Sequence, residues 1–285
     1  MSWDIQTASE EWLINVTERV EQEKGLIGGL YEGNHVVQLS DDIAVKYGNG
    51  VTSAEAATQQ FASEHLDPNI VRVPRVYRFF TGPPRPDDWP WPKGYLFMEY
   101  VSGQNLQDLD LSVHTDIVPR VATTIAHLGQ IKGGSIPGPV GTGKLRGYLW
   151  GDDGTKTVFN SVADMNAWIN KRLALRDQAV DLSPHQLVLC HMDLCRRNMI
   201  LTKKEQAHDD DDAEATIFLV DWDFFPRFFE VDTLSCLNPY DAPYMEPLIN
   251  ATKRLINLTE EEEELIESML FVRAASLLYT FWRNG

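Results

Sequence analysis

The stretch that decides the fold is LVLCHMDLCRRNMIL, residues 187–201, together with its continuation IFLVDWDFF, residues 217–225. Each segment opens on an apolar run that suits a buried strand, and each carries polar side chains where that run ends. The first supplies Asp193 and Asn198, and the second supplies Asp221. Because buried strands hold the residues at their ends in fixed places, the two segments together predict a functional site.

The pattern H-x-D-L-x-x-x-N, followed by an Asp after a later strand, is typical of phosphoryl transfer. That reaction needs an in-line hydroxyl, metal ions on the phosphates and stabilised charge. We expect Asp193 to accept or orient the hydroxyl proton, and His191 to brace the loop. Asn198 and Asp221 are expected to bind Mg²⁺, which prefers such oxygen ligands. Ordinary turn residues are the alternative for Asp193 and Asn198, but the complete pattern favours catalysis.

CHMDLCRRNMIL with LVDWDFFPRFFE resembles the aminoglycoside phosphotransferase and choline kinase group, particularly its fungal members. The resemblance implies an α+β, two-lobed protein-kinase-like fold. It predicts a small N-lobe with an antiparallel sheet over residues 1–100, and a larger, mostly helical C-lobe over residues 101–285. It also implies phosphorylation of a small-molecule hydroxyl, with ATP and Mg²⁺ as cofactors. The chain departs from the group at Cys195 and Arg196, and it lacks a glycine after Asp221.

Lys46 ends the apolar run IAVK, like the strand lysine that binds nucleotide phosphates in kinases. The segment SAEAATQQFASEHL that follows predicts a helix, with Ser53 as the expected N-cap. Glu55 is expected to pair with Lys46, and Glu64 is the rival. The resemblance, which reads E-A-x-x-x-x-F before VPRV, favours Glu55. A solvated helix face is the alternative for either glutamate.

YLFMEYVSGQNL, residues 95–106, indicates a buried strand that is broken by Ser-Gly-Gln-Asn. It resembles the hinge between two kinase lobes. Backbone groups of Glu99, Tyr100 and Val101 would then bind adenine, and Met98 would stand at the back of the pocket. A plain core strand is the alternative. The order Lys, Glu, hinge, HxD, Asn, Asp is the order that a kinase fold requires.

GPVGTGKL, residues 138–145, nearly matches the phosphate-binding loop G-x-x-x-x-G-K-[ST]. Leu145 stands where the metal-binding hydroxyl is needed, and no strand leads into the segment, so we reject that interpretation. In the fungal group a glycine-rich stretch of this kind lies on the substrate side of the C-lobe. Lys144 and Arg146 are therefore candidate substrate contacts, with solvated loop cations as the alternative.

The chain of 285 residues carries a net charge of −17, with a pI near 4.7. This charge argues against nucleic acid or an anionic membrane as a partner and is compatible with a cationic substrate. Three cysteines without CxxC spacing indicate reduced thiols. Cys195 is either a catalytic thiol or a small loop residue. With no basic and apolar leader at the N-terminus, we expect a cytoplasmic protein.

Two alternatives stand beside a small-molecule kinase. The altered Cys195-Arg196-Arg197 loop and the missing glycine fit a nucleotide-binding pseudokinase or scaffold without turnover, although the complete set of polar residues argues against it. A protein kinase is disfavoured because no A-P-E segment follows VDWD. The sequence does not name the acceptor; the acidic composition favours an amine-bearing alcohol.

Overall fold

A five-stranded antiparallel sheet forms the small lobe, in the spatial order β1-β2-β3-β5-β4. The computed structural model describes residues 4–29, 33–85, 92–141, 143–145, 148–150, 154–202, 216–219, 223–226 and 242–278. The strands of this sheet are β1 (Gly28–Gly29), β2 (His35–Gln38), β3 (Ile43–Gly48), β4 (Val76–Thr81) and β5 (Gly94–Glu99). Strand β3 lies between β2 and β5, so Lys46 sits inside the sheet, opposite Val36 and Leu96.

Two helices accompany the sheet, α1 (Glu10–Lys24) and α2 (Ser53–His65). The N-cap of α2 is Thr52, and the expectation that Ser53 caps this helix is wrong. Thr52 has extended backbone angles, and its hydroxyl accepts a hydrogen bond from the Glu55 N–H group. That geometry defines an N-cap, whereas Ser53 is already the first helical residue. Glu55 therefore stands in the first turn of α2.

The apolar run that begins at Val71 does not enter the sheet until Val76. Pro74 has no N–H group and interrupts the run. Before that point Val71 and Val73 are buried in a core outside the sheet. Arg72 forms an isolated parallel bridge with Phe218, through hydrogen bonds from Arg72 N–H to Ile217 O and from Leu219 N–H to Arg72 O. This segment therefore connects the small lobe to the rest of the chain.

The large lobe combines helices with two small antiparallel sheets, β6-β8-β9 and β7-β10. Its helices within the described residues are α3 (Ile117–Leu128), α4 (Val162–Leu173), α5 (Ala242–Ile256) and α6 (Glu260–Leu278). Its strands are β6 (Gly103–Asn105), β7 (Leu187–Cys190), β8 (Met199–Thr202), β9 (Ile217–Leu219) and β10 (Asp223–Pro226). The N-cap of α4 is Ser161, whose hydroxyl accepts a hydrogen bond from the Asp164 N–H group. No helix among the described residues combines the length and the apolar character needed to cross a membrane.

The largest apolar core includes residues that lead out of the small lobe. Ala62 and Leu66 at the end of α2, with Val71 and Val73, pack with buried residues of α3, α5 and the β7–β9 region. A separate core joins α1 to the sheet, and another joins α4 to α6. The α2–β4 segment thus contributes to a core that both lobes share. The domain boundary near residue 100 stays a prediction.

Candidate active site

The loop after β7 contains a residue in an unusual backbone conformation and a short helix. Met192 is buried and has a φ of 64°, in the left-handed region that non-glycine residues rarely occupy. The Asp193 N–H group donates to Nδ1 of His191 at 3.3 Å, and His191 is itself buried. A 3₁₀-helix over Arg196–Asn198 then leads into β8. The loop is therefore held by its own backbone and by His191.

The two carboxylate oxygens of Asp193 differ in their surroundings. Its Oδ2 accepts hydrogen bonds from Nδ2 of Asn198 and from a guanidinium nitrogen of Arg197, each at 2.9 Å. Its Oδ1 is buried and accepts no hydrogen bond from any residue that the structure describes. A buried carboxylate oxygen without a donor is costly unless a ligand satisfies it. Asp193 is thus fixed through Oδ2, while its Oδ1 has no hydrogen-bond donor among the described residues.

The amide of Asn198 is oriented by two bonds from one nitrogen. Its Nδ2 donates to the carbonyl of Asp193 and to Asp193 Oδ2, both at 2.9 Å. This arrangement turns the amide oxygen Oδ1 away from the carboxylate. An amide oxygen is a suitable ligand for Mg²⁺, so the donor types at this loop fit the metal that the sequence predicts.

Asp221 and Arg146 lie outside the described residues, but the strands on either side of residue 221 are defined. Strand β9 ends at Leu219, which pairs with Met199 directly after Asn198. Strand β10 begins at Asp223, which pairs with Cys190 at the other end of the loop. Both flanks of residue 221 are therefore tied to the loop that carries Asp193.

Lys46 and Glu55 form an ion pair between β3 and α2. The distance from Lys46 Nζ to Glu55 Oε1 is 2.5 Å, and the two side chains are only 18% and 16% exposed. The rival Glu64 is exposed and accepts instead from Gln60 Nε2 at 2.8 Å, within the same helix. An ammonium group held in this way can bind a phosphate without leaving its carboxylate partner.

Two of the three residues of the predicted hinge donate backbone hydrogen bonds within the protein. The Glu99 N–H group donates to Arg75 O, and the Tyr100 N–H group donates to Asp42 O, each at 2.9 Å. The N–H group of Val101 donates to none of the residues that the structure describes. The carboxylate of Glu99 accepts from Arg72 and from the Arg75 N–H group, so it is committed to the protein.

Two residues of this region carry no signal in the sequence. Gln59 of α2 is buried, and its Nε2 contacts both the Pro74 carbonyl at 2.9 Å and the sulfur of the buried Met98 at 3.4 Å. It therefore braces the strand that ends at the hinge. Arg197 binds Asp193, and the four-residue spacing between them is the only feature of the sequence that relates the two.

Cys195 is not equipped for nucleophilic chemistry. The side chain is buried, and burial together with the nearby Asp193 carboxylate raises the pKa of its thiol to about 12. A thiol with such a pKa is protonated at neutral pH, whereas the thiolate is the reactive form. The structure thus favours the interpretation of Cys195 as a small loop residue.

The fold and this loop define a kinase-like phosphotransferase, and comparisons with known proteins agree. Residues 40–224, well over half of the chain, match the model of the phosphotransferase enzyme family, APH. The chain therefore belongs to this family, and it is a phosphotransferase with an alcohol group as acceptor. A comparison with curated proteins gave no significant match.

Solved structures confirm the two-lobed protein-kinase-like fold. A thermostable mutant of aminoglycoside phosphotransferase APH(4)-Ia, in its apo form, is 16% identical with a TM-score of 0.50, covering 88% of this chain and 84% of its own. A mutant of aminoglycoside 2′-phosphotransferase-IIIa in complex with GDP is 9% identical with a TM-score of 0.50, covering 92% and 88%. At these identities the likeness concerns the fold.

Proposed function

We propose that this phosphotransferase moves the γ-phosphate of ATP to a hydroxyl of a small, amine-bearing molecule, with Mg²⁺ as cofactor. The observation that carries the proposal is the pair of hydrogen bonds from Asn198 to Asp193. These bonds leave one carboxylate oxygen for a hydroxyl proton and one amide oxygen for a metal ion. Both residues belong to one loop that these bonds hold together, and phosphoryl transfer depends on such positioning of the hydroxyl and the metal.

In the proposed reaction the acceptor oxygen attacks the γ-phosphorus while the bond to the β–γ bridging oxygen breaks and ADP leaves. Asp193 receives the proton of the acceptor hydroxyl on its carboxylate. Lys46, aligned by Glu55, binds the phosphates of the donor. Asn198 and Asp221 would hold Mg²⁺, which supplies positive charge to the phosphates when it is bound.

The base of the donor would lie against the hinge. Val101 offers a backbone N–H group there, and the buried Met98 would form the back of the pocket. The backbone groups of Glu99 and Tyr100 belong to the same proposed contact surface. One of the two similar folds was solved with GDP, so guanine nucleotides need testing beside ATP.

The amine on the acceptor is proposed from charge. The chain carries −17 in total, and a negative protein attracts cationic substrates. The cytoplasmic location stays a prediction. It also stays a prediction that neither nucleic acid nor a membrane is a partner.

The experiment is calorimetric titration of Mg-ATP and Mg-GTP into the wild type, Asp221→Ala and Asp193→Asn. We expect the wild type to bind in a metal-dependent way and Asp221→Ala to lose that dependence. Asp193→Asn should keep binding yet lose phosphoryl transfer by about 100-fold or more, because the carboxylate that accepts the proton is removed. Asp116→Asn, at an exposed position before α3, is the control and should match the wild type.

Transfer is then assayed with amine-bearing and neutral alcohols in parallel. Faster turnover of the amines supports the acceptor class, and equal rates contradict it. Metal-dependent binding without transfer to any alcohol would favour the pseudokinase or scaffold. Absence of nucleotide binding by the wild type would overturn the proposed function.

A further inference from the structure

A glycine-rich loop of the large lobe packs against the helix that carries Glu55. This glycine loop consists of residues 138–141 and 143–145. The Val140 N–H group donates to Oγ1 of Thr58 at 2.8 Å, across 82 residues of sequence. The glycine loop, which nearly matches a phosphate-binding loop in sequence, is thus hydrogen-bonded to the N-terminal half of α2.

The contact lies within one turn of Glu55. Thr58 is fully buried, and its hydroxyl also donates to the Ala54 carbonyl at 2.8 Å. Residues three and four positions apart are neighbours on a helix, so Thr58 adjoins both Ala54 and Glu55. A Cβ atom added at Gly143 would lie 3.5 Å from Ala54 Cβ and 2.8 Å from Pro139 Cγ. A side chain at position 143 would therefore crowd Pro139 within the loop, and the glycine lets the loop fold compactly where it lies beside Ala54 of α2.

The other end of the glycine loop is anchored in the large lobe. The Leu145 N–H group donates to Thr155 Oγ1 at 3.1 Å, and the Thr155 N–H group donates to Leu145 O at 3.0 Å. The Leu145 side chain is buried in the core that contains Trp150 and Phe159. The hydrogen bond from Val140 to Thr58 thus links α2 to a loop that is itself anchored in the large lobe.

We propose that Thr58 is a positioning residue, through which the glycine loop holds Glu55 in register with Lys46. The proposal rests on the proposed nucleotide site. The adjacent Gln59 bonds to Pro74 and Met98 of the small lobe, so consecutive residues attach α2 to both lobes. Without the Thr58 bond, the N-terminal half of α2 loses its hydrogen bond to the large lobe, although Ala62 and Leu66 still pack there at the end of the helix. The 2.5 Å contact between Lys46 and Glu55 then relaxes.

The test replaces Thr58 by Val, which has the same shape and no hydroxyl. We expect kcat/KM for Mg-ATP to fall about fivefold to tenfold, because the Val140 N–H group loses its acceptor. Thr58→Ser keeps the hydroxyl and should restore kcat/KM to within about twofold of the wild type. Thr58→Ala removes the same hydroxyl without the β-branch, so a folding defect specific to valine is recognised.

Thr124→Val is the matched control. Thr124 is buried in α3, and its hydroxyl donates to the carbonyl four residues earlier, that of Arg120, at 3.1 Å. Among the described residues no loop amide donates to it. This variant should keep the kcat/KM of the wild type, although it loses a helix bond of the same kind as Thr58 makes.

A double-mutant cycle with Glu55→Gln separates positioning from a general structural effect. If Thr58 acts through Glu55, Thr58→Val should lower kcat/KM by less than about twofold in the Glu55→Gln background. Independent losses that multiply would overturn the inference, as would a Thr58→Val enzyme equal to Thr124→Val. Absence of Mg-ATP binding by the wild type would instead overturn the proposed function, and this inference with it.

Discussion

Arg197 and Arg196 are adjacent, yet their side chains serve different partners. The guanidinium of Arg197 donates to Asp193, whereas that of Arg196 lies 5.7 Å from the centre of the Tyr244 ring. Replacing either Arg196 or Arg197 by Met would remove one positive charge from this loop. The pair therefore distinguishes an effect on Asp193 from an effect of net charge.

We expect Arg197→Met to lower kcat about tenfold while the affinity for Mg-ATP stays within about twofold, because a charge-assisted hydrogen bond to Asp193 is lost. Arg196→Met should keep kcat and lose a little thermal stability with its aromatic contact. Steady-state kinetics and melting curves measure both. Equal effects of the two variants on kcat would contradict a special role for Arg197.

Cys195 should resist alkylation in the folded protein. Its pKa of about 12 leaves almost no thiolate at pH 7.5, and the side chain is buried. We expect iodoacetamide to leave the peptide that contains Cys195 unmodified in the native state and to modify it fully in urea. Mass spectrometry of the digested protein measures both fractions. Rapid labelling of the native protein would show that the loop opens.

At the scale of elements, helix α1 is attached to the sheet beside Lys46. The hydroxyl of Tyr47, on β3, donates to the carboxylate of Glu21 on α1, and His35 Nδ1 lies 2.8 Å from the same carboxylate. The Tyr47 ring stacks on that of Tyr95, with centroids 5.4 Å apart. The strand that presents Lys46 is thereby braced from the far side.

This attachment predicts how stability depends on alkaline pH. Burial, and then the hydrogen bond and charge of Glu21, raise the pKa of Tyr47 well above its usual value of 10.0. The folded state therefore holds this proton more tightly than the unfolded state. Its contribution is complete below pH 10 and declines as the pH rises above 10.

We expect the free energy of unfolding in urea to fall more steeply above pH 10 for the wild type than for Tyr47→Phe. At pH 8 the variant should be less stable by about 1–2 kcal/mol, because a buried hydrogen bond is lost. Urea titrations at pH 8, 9.5 and 10.5 provide the comparison. Parallel pH profiles for the two proteins would contradict this role of Tyr47.

Local patterns explain most of what the sequence could predict. The run IAVK and the capped helix after it indicate both partners of the ion pair between Lys46 and Glu55. Thr52 and Ser53 are adjacent, and both residue types are common N-caps, so the sequence alone does not decide between them. The extended backbone angles of Thr52 identify it as the cap. Helix α5 contains Pro243 and Pro247, a composition that does not indicate a helix.

Distant contacts explain what the sequence could not predict. Thr58 and Gln59 owe their roles to Val140 and Pro74, far away in sequence, and no periodicity records such pairs. Val71 and Val73, before Pro74, pack in the shared core and not in the sheet, and a one-dimensional pattern of apolar residues does not show this.

At the scale of the whole molecule, the shared core should make the lobes unfold together. Ala62, Leu66, Val71 and Val73 leave the small lobe to pack with α3 and α5. We expect one urea transition, with tryptophan fluorescence and far-ultraviolet circular dichroism coinciding. Leu66→Ala should lower the free energy of unfolding by about 2–4 kcal/mol and shift both curves equally. Two separated transitions would contradict this coupling.

The same shared core suggests a use for the protein as a sensor. Val113, 71% exposed, stands in the connection before α3, where a break in the chain would disturb little packing. The first fragment would then expose the apolar side chains that normally pack against α3 and α5, and both of these helices would belong to the second fragment. Two such pieces, each fused to one partner of an interaction under study, would rebuild a working phosphotransferase only when the partners meet. Enzyme activity would then report the encounter inside a living cell.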